Sequence, residues 1–199
     1  MYQEFAQSVE NMAKSVMNDI HTALPGKIMS FSPEKGTAVV KPAGKYLTSD
    51  GVSLEYPVIS GAPLMFPYCG TASVGLTFPV KTGDDCLIIV SETDLDEWLS
   101  GAESEAPLRY DLTSAIVIPG LMPVGNAAMA KANARDAVVI ISGAAEIVIA
   151  NGKIDIKGDV TFDGNVSVNG ILTVGNINLN THRHISAMPG QKSGKPQNE

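Results

Sequence analysis

The chain has 199 residues, a mass of 20.9 kDa, 44% hydrophobic and 18% charged residues, which allows a packed core and excludes global disorder. Its net charge of −7 and pI of about 4.9 argue against a general nucleic-acid binder, which presents a basic face. Cys69 and Cys86 form no CxxC motif and no basic, then apolar, leader precedes them, so synthesis in a reducing cytoplasm with free thiols is expected. The most apolar run, Ala137 to Ala150, contains Gly143 and Glu146 and is too short to span a bilayer.

Residues 1–22 read as an amphipathic helix. Phe5, Val9, Met12, Val16 and Ile20 form one apolar stripe, and Pro25-Gly26 lies beyond its end. Such a stripe must be buried, on its own domain or on a neighbouring subunit.

Residues 23–120 read as a small β-barrel. Strands are expected at 27–32, 37–42, 54–59, 64–66, 77–80, 85–90 and 115–118, separated by Pro, Gly and Asp clusters. Thr93 with Asp96 resembles a capping box that opens a short helix, which Gly101 stops. The pattern fits a five-stranded OB-fold with an inserted helix. OB barrels often bind nucleic acid, but this segment holds 6 Lys/Arg against 12 Asp/Glu. Residues 121–136 read as a connector with a short helix over 127–134.

Residues 137–181 form a repeat array. The apolar pairs Ile147/Ile149, Ile154/Ile156, Val160/Phe162, Val166/Val168, Leu172/Val174 and Ile177/Leu179 follow at steps of 7, 6, 6, 6 and 5 residues. Glycine or Asn-Gly separates most of them. Alternation within each pair and repetition between pairs point to short strands in a stacked array. Strands this short need partners, and closed cyclic assembly removes free edges. The array therefore reads as an intertwined β-prism of three chains, with a single-chain β-solenoid as the competing architecture. Five residues after Ile177/Leu179, His182 and His184 replace the next apolar pair. Residues at i and i+2 of a strand share a face, so the inward face ends in two imidazoles with Arg183 turned outward. Residues 182–199 are the apex and a tail that is either disordered or folded back over the tip.

HTALPGKI at 21–28, GLTFPVKTGDD at 75–85, SETDLDEWLSG at 91–101 and DLTSAIVIPGL at 111–121 resemble the baseplate assembly protein V and membrane-puncturing spike family of contractile-tailed bacteriophages. THRH at 181–184, with Pro189-Gly190 and Lys195-Pro196-Gln197 after it, resembles the apex of the same spikes. The resemblance covers nearly the whole chain. It implies a homotrimer in the virion, at the tip of the tail baseplate, made in the host cytoplasm. Its OB-fold would attach to the tail hub, and a triple-stranded β-helix would form the needle. Six histidines would hold one iron ion per trimer, and sheath contraction would drive the needle through the host outer membrane. In some relatives Pro-Gly follows the second histidine directly, whereas here residues 185–188 intervene.

Two histidines from each of three chains supply six nitrogens, a number suited to octahedral Fe(II), Ni(II) or Co(II) rather than tetrahedral zinc. The resemblance selects iron. With all six positions filled by His182 and His184, no position remains for a substrate, so the site reads as structural. His21 reads as a helix C-terminal residue favoured by the dipole. Asp84, Asp85, Glu92, Asp94, Asp96 and Glu97 read as turn and helix N-terminal acids rather than catalytic carboxylates, and Trp98 as a barrel plug. Asn165-Val166-Ser167 matches a glycosylation sequon in a chain without a secretion signal and is discounted. The chain therefore reads as a spike without enzymatic activity. The rival reading is an OB-fold binding module on a β-solenoid stalk, recognising a surface glycan or nucleic acid.

Overall fold

The computed structural model describes residues 2–18, 20–48, 51–103, 110–184, 189, 194 and 196–197. They fall into two compact units, Met1–Asn126 and Ala127–Glu199. The expected connector is divided by that boundary, since 121–126 belongs to the first unit and the helix after it to the second. Among the described residues no helix is long and apolar enough to cross a membrane.

The first unit opens with helix α1 (Tyr2–Asn18). Its core is an antiparallel five-stranded sheet of β1 (Ala23–Ser32), β2 (Thr37–Pro42), β3 (Ile59–Pro63), β4 (Asp85–Val90) and β5 (Ala115–Pro119). The order across the sheet is β3-β2-β1-β4-β5. Strict alternation dictates the buried side. β2 buries Ala38, Val40 and Pro42, and β4 buries Cys86, Ile88 and Val90. Register brings Ile28 opposite Val40 and Ile88 opposite Val117, which makes one aliphatic core. The sheet bends at two irregularities, one between Ile28 and Ser30 on β1 and one between Ile59 and Ala62 on β3, opposite Ala38 and Val40 of β2. Extra residues of this kind sharpen local twist. The sheet thus curls into a half-barrel whose outer strands approach each other. Leu64 makes an isolated parallel bridge to Val117, and Met65 N donates to Val117 O at 2.8 Å.

Three strand expectations shift, the first being 64–66, where Leu64 makes only an isolated bridge and no strand forms. In place of one strand at 54–59 there are two short segments, Ser53–Glu55 and β3, with Pro57 between them. Residues 77–80 form no strand and contain Pro79, which cannot donate to a ladder; a short ribbon pairs Tyr68–Cys69 with Val74–Gly75 instead.

The second unit begins with α3 (Ala127–Arg135) and a three-stranded meander of β6 (Val138–Ser142), β7 (Ala145–Ala150) and β8 (Lys153–Lys157). Helix α2 (Leu95–Ser100) lies between β4 and β5 and belongs to the first unit. Direct partners share a face, so Val138, Ile149 and Ile154 line up, as do Ile140, Ile147 and Ile156. All six are exposed or nearly so. The opposite face carries Val148, only 3% exposed, and Glu146, which pairs with Lys131 of α3.

The array therefore does not run as a uniform set of short strands within one chain. Its first two pairs are folded into a local meander. The cause is Asn151-Gly152, a two-residue loop with φ of 32° and 79°, closed by the pair Ala150 and Lys153. Asn-Gly between alternating apolar residues builds a tight hairpin. From Gly158 to Leu172 no strand is formed, and every side chain from Asn151 to Asn176 is exposed. A small hairpin, Thr173–Val174 with Ile177–Asn178, follows.

Candidate functional site

The hairpin leads directly into the two histidines. Leu179 N donates to Leu172 O at 2.9 Å, and His182 N donates to Asn178 O at 2.9 Å, which closes a tight turn. Arg183 and His184 then pair antiparallel with Gln197 and Pro196. The tail, where described, folds back along the tip. The intervening segment 185–188 lies outside the described residues.

The two rings stand 5.1 Å apart, centroid to centroid, at an interplanar angle of 74°. His182 Nδ1 lies 2.9 Å from Leu179 O, and His184 Nδ1 lies 3.0 Å from Gly194 O. A carbonyl oxygen only accepts, so each contact is a hydrogen bond when Nδ1 carries the proton. That tautomer leaves Nε2 of each ring with a free lone pair. A main-chain carbonyl on the remote nitrogen is also how metal-ligating histidines are commonly oriented. The donor set of one chain thus fits a metal as a two-nitrogen contribution. Among the described residues no group of three or more His, Cys, Asp or Glu side chains is gathered. Completing a coordination sphere requires donors beyond these two.

The remaining sequence candidates are dispersed. Asp84 Oδ2 accepts from Lys81 N at 2.7 Å within a turn, and Asp85 pairs with Lys27 at 2.7 Å. Asp94 caps α2 by accepting from Asp96 N at 2.8 Å. The cap is therefore Asp94, one residue later than the expected Thr93; Thr93 N instead donates to Ser91 Oγ at 3.1 Å. Gly101 ends the helix as expected, at φ 81°, with its N–H turned to Trp98 O and Glu97 O. His21 does not belong to a helix terminus. α1 stops at Asn18, and the His21 ring meets Tyr56 edge-on at 5.6 Å. The Cys86 thiol is pushed up to about 11, chiefly by burial and further by Asp85, while Cys69 is exposed.

Trp98 is not a barrel plug. It is 66% exposed, because α2 has only six residues and seats Leu95 on the sheet in its stead. The half-barrel interior is already filled by Ile28, Val40, Ile88 and Val117. Trp98 instead borders an apolar cleft of about 430 Å³ with Leu64, Met65, Phe66, Tyr68 and Ile116. Leu95, Trp98 and Leu99 at i, i+3 and i+4 signal one apolar helix face; a helix this short buries only part of it.

The first unit carries the five-stranded sheet. Residues 24–120 match the family of the phage protein Gp138 N-terminal domain. The match takes in β1 to β5 and just under half of the chain. It supports a phage structural protein associated with the virion. No curated protein matches the chain.

Proposed function

We propose that three copies of the chain form the central spike of a contractile phage tail. In this reading the half-barrel is an OB-fold that attaches to the tail hub. Residues 137–181 of the three chains wind into a triple-stranded β-helix. His182 and His184 from each chain hold one iron ion at the apex, and the tip pierces the host outer membrane on sheath contraction.

One observation carries the reading. A single chain leaves its apolar pairs uncovered from Ile154 to Val174, with Phe162 68% exposed, and the series runs into two imidazoles with Nε2 available. Large apolar side chains left exposed in such a regular series mark an interaction surface. Three-fold closure would cover it while giving ladder partners to the backbone of 158–169, which forms no strand in one chain, and it would bring six imidazole nitrogens to one axis. Six nitrogen donors suit an octahedral ion. The resemblance of the THRH apex selects iron among such ions. A closed prism has no edges to peel under load, and an ion joining three chain ends prevents fraying at the tip. Such a site has a mechanical role and turns over no substrate.

Light scattering with metal analysis on the purified full chain tests the reading. The expected result is three times the 20.9 kDa chain mass, with near one iron per three chains. The double change His182→Ala with His184→Ala should abolish the ion and leave the half-barrel folded. A monomer at micromolar concentration overturns the spike.

The exposed Trp98 beside Tyr68 favours a second reading, a binding module recognising a surface glycan through an aromatic cleft. A monomeric mass with glycan-dependent change in Trp98 fluorescence would support it.

A further inference from the structure

We infer that α1 is a second clamp of the assembly, packing against α1 of the other copies as a short parallel coiled coil. This rests on the trimeric reading above, which by itself places no contact between the helices. Every side chain from Tyr2 to Met17 is exposed, including Phe5 at 70%, so the helix leaves its apolar stripe open to solvent. A lone helix of 17 residues is marginal in water and needs a partner.

The pattern points to the partner. Tyr2, Phe5, Val9, Met12 and Val16 step by 3, 4, 3 and 4 residues, a heptad repeat with Tyr2, Val9 and Val16 at a and Phe5 and Met12 at d. A helix that docks on a globular surface has a broader apolar face, whereas a strict a/d stripe is a coiled-coil seam. The flanking e and g positions are Ala6, Ala13, Ser8 and Ser15. These small residues let neighbouring helices approach closely. The charged residues of the helix, Glu4, Glu10 and Lys14, fall at c, b and f, away from the seam. Lys14 pairs with Glu10 at 2.6 Å, away from the seam. Nothing charged faces the seam to select a different protein, and the stripe is self-complementary. The next d position is Asp19, so the seam ends at Val16. Two heptads are weak alone, but chains already joined elsewhere hold their helices at high effective concentration. Cyclic symmetry brings like ends together, which makes the coil parallel.

Cysteine trapping in the full chain tests this. In a Cys69→Ser background the remaining thiol, Cys86, is buried and stays unreactive. Met12→Cys at d places like residues side by side on the seam, whereas Lys14→Cys at f faces outward. Mild oxidation should give a disulfide-linked pair on a non-reducing gel with Met12→Cys, and that band should be lost with Lys14→Cys. Phe5→Cys, a second d position, should repeat the Met12→Cys result if that variant proves poorly folded. Particles of trimeric mass without a linked pair in either d variant, or with equal linking at the d and f positions, overturn the coiled coil and leave the spike standing. A monomeric mass overturns both.

Discussion

The Ile88 side chain occupies the space above Gly26, where a Cβ would come within 2.5 Å of Ile88 Cδ1 and 3.0 Å of Lys41 O. Gly26 pairs with Cys86 in the β1–β4 ladder, so neither strand can withdraw without breaking register. Ile88 is itself fully buried. Gly26→Ala is therefore an overpacking change and should cost about 1–3 kcal/mol. Denaturant unfolding followed by circular dichroism checks this. Gly36→Ala, where a Cβ meets nothing within 4 Å but φ is 66°, separates the cost of strain from that of the clash. Equal losses in the two variants would remove Ile88 as the cause.

Asp111 supplies an acid-sensitive part of the stability. It accepts from Thr113 Oγ1 at 2.6 Å and Thr113 N at 2.8 Å at the head of a short 3-10 turn. The Thr113 hydroxyl bond, then the backbone bond, hold its carboxyl below the usual range against a smaller opposing effect of burial, with His21 adding slightly. A depressed folded pKa means the contribution is complete above the unfolded value of about 3.9 and is lost as pH falls through the folded one. Asp111→Ala should thus destabilise by about 1 kcal/mol near neutrality. The gap from the wild-type chain should close in strong acid. A gap independent of pH would assign the loss to packing.

Much of the half-barrel was legible because its strands alternate strictly. Thr37–Pro42 and Asp85–Val90 lie where the alternation places them. Pro57 and Pro79 mark where apolar runs were read too generously as strands. In the second unit the period of the array is plain in the sequence, but nothing in that period tells Asn151-Gly152, a hairpin turn, from the other glycine punctuation. That turn folds Ile147/Ile149 and Ile154/Ile156 onto each other within one chain. Of the histidine tip, spacing alone places both rings on one face. The carbonyl that orients His184 belongs to Gly194, ten residues on, in a tail with no periodic pattern to reveal a fold-back.

Val166 and Ser167 separate a covered array from an open one. Both are exposed in one chain, so an aspartate at either position costs a lone chain little. In a three-chain prism with Val166 inward, Val166→Asp brings three charges to the axis, each with a desolvation cost of several kcal/mol. Val166→Asp should then abolish trimers in light scattering, and Ser167→Asp should retain them. Identical behaviour of the pair would mean that the in/out assignment of the array is wrong.

The last prediction concerns the tail as the support of the proposed metal site. His184 depends on Gly194 O for its ring orientation and on the pairing of Arg183–His184 with Pro196–Gln197 for its backbone. His182 depends on Leu179 O, within its own turn. A chain ending at His184 thus keeps both imidazoles and the partner of His182 but loses what fixes His184. Removing such outer partners typically weakens metal binding about 10–100-fold. The truncated trimer should therefore still load iron when metal is replete but release it to a chelator faster than the full chain. Replacing His184 by Ala in the truncated chain should add little to that release, whereas replacing His182 should remove the remaining ion. Competition with a chelator, followed by elemental analysis, measures both. Unchanged retention after truncation would show that the Gly194 carbonyl does not position the ring, and an equal effect of the two histidine changes would show that the rings act as one unit without the tail.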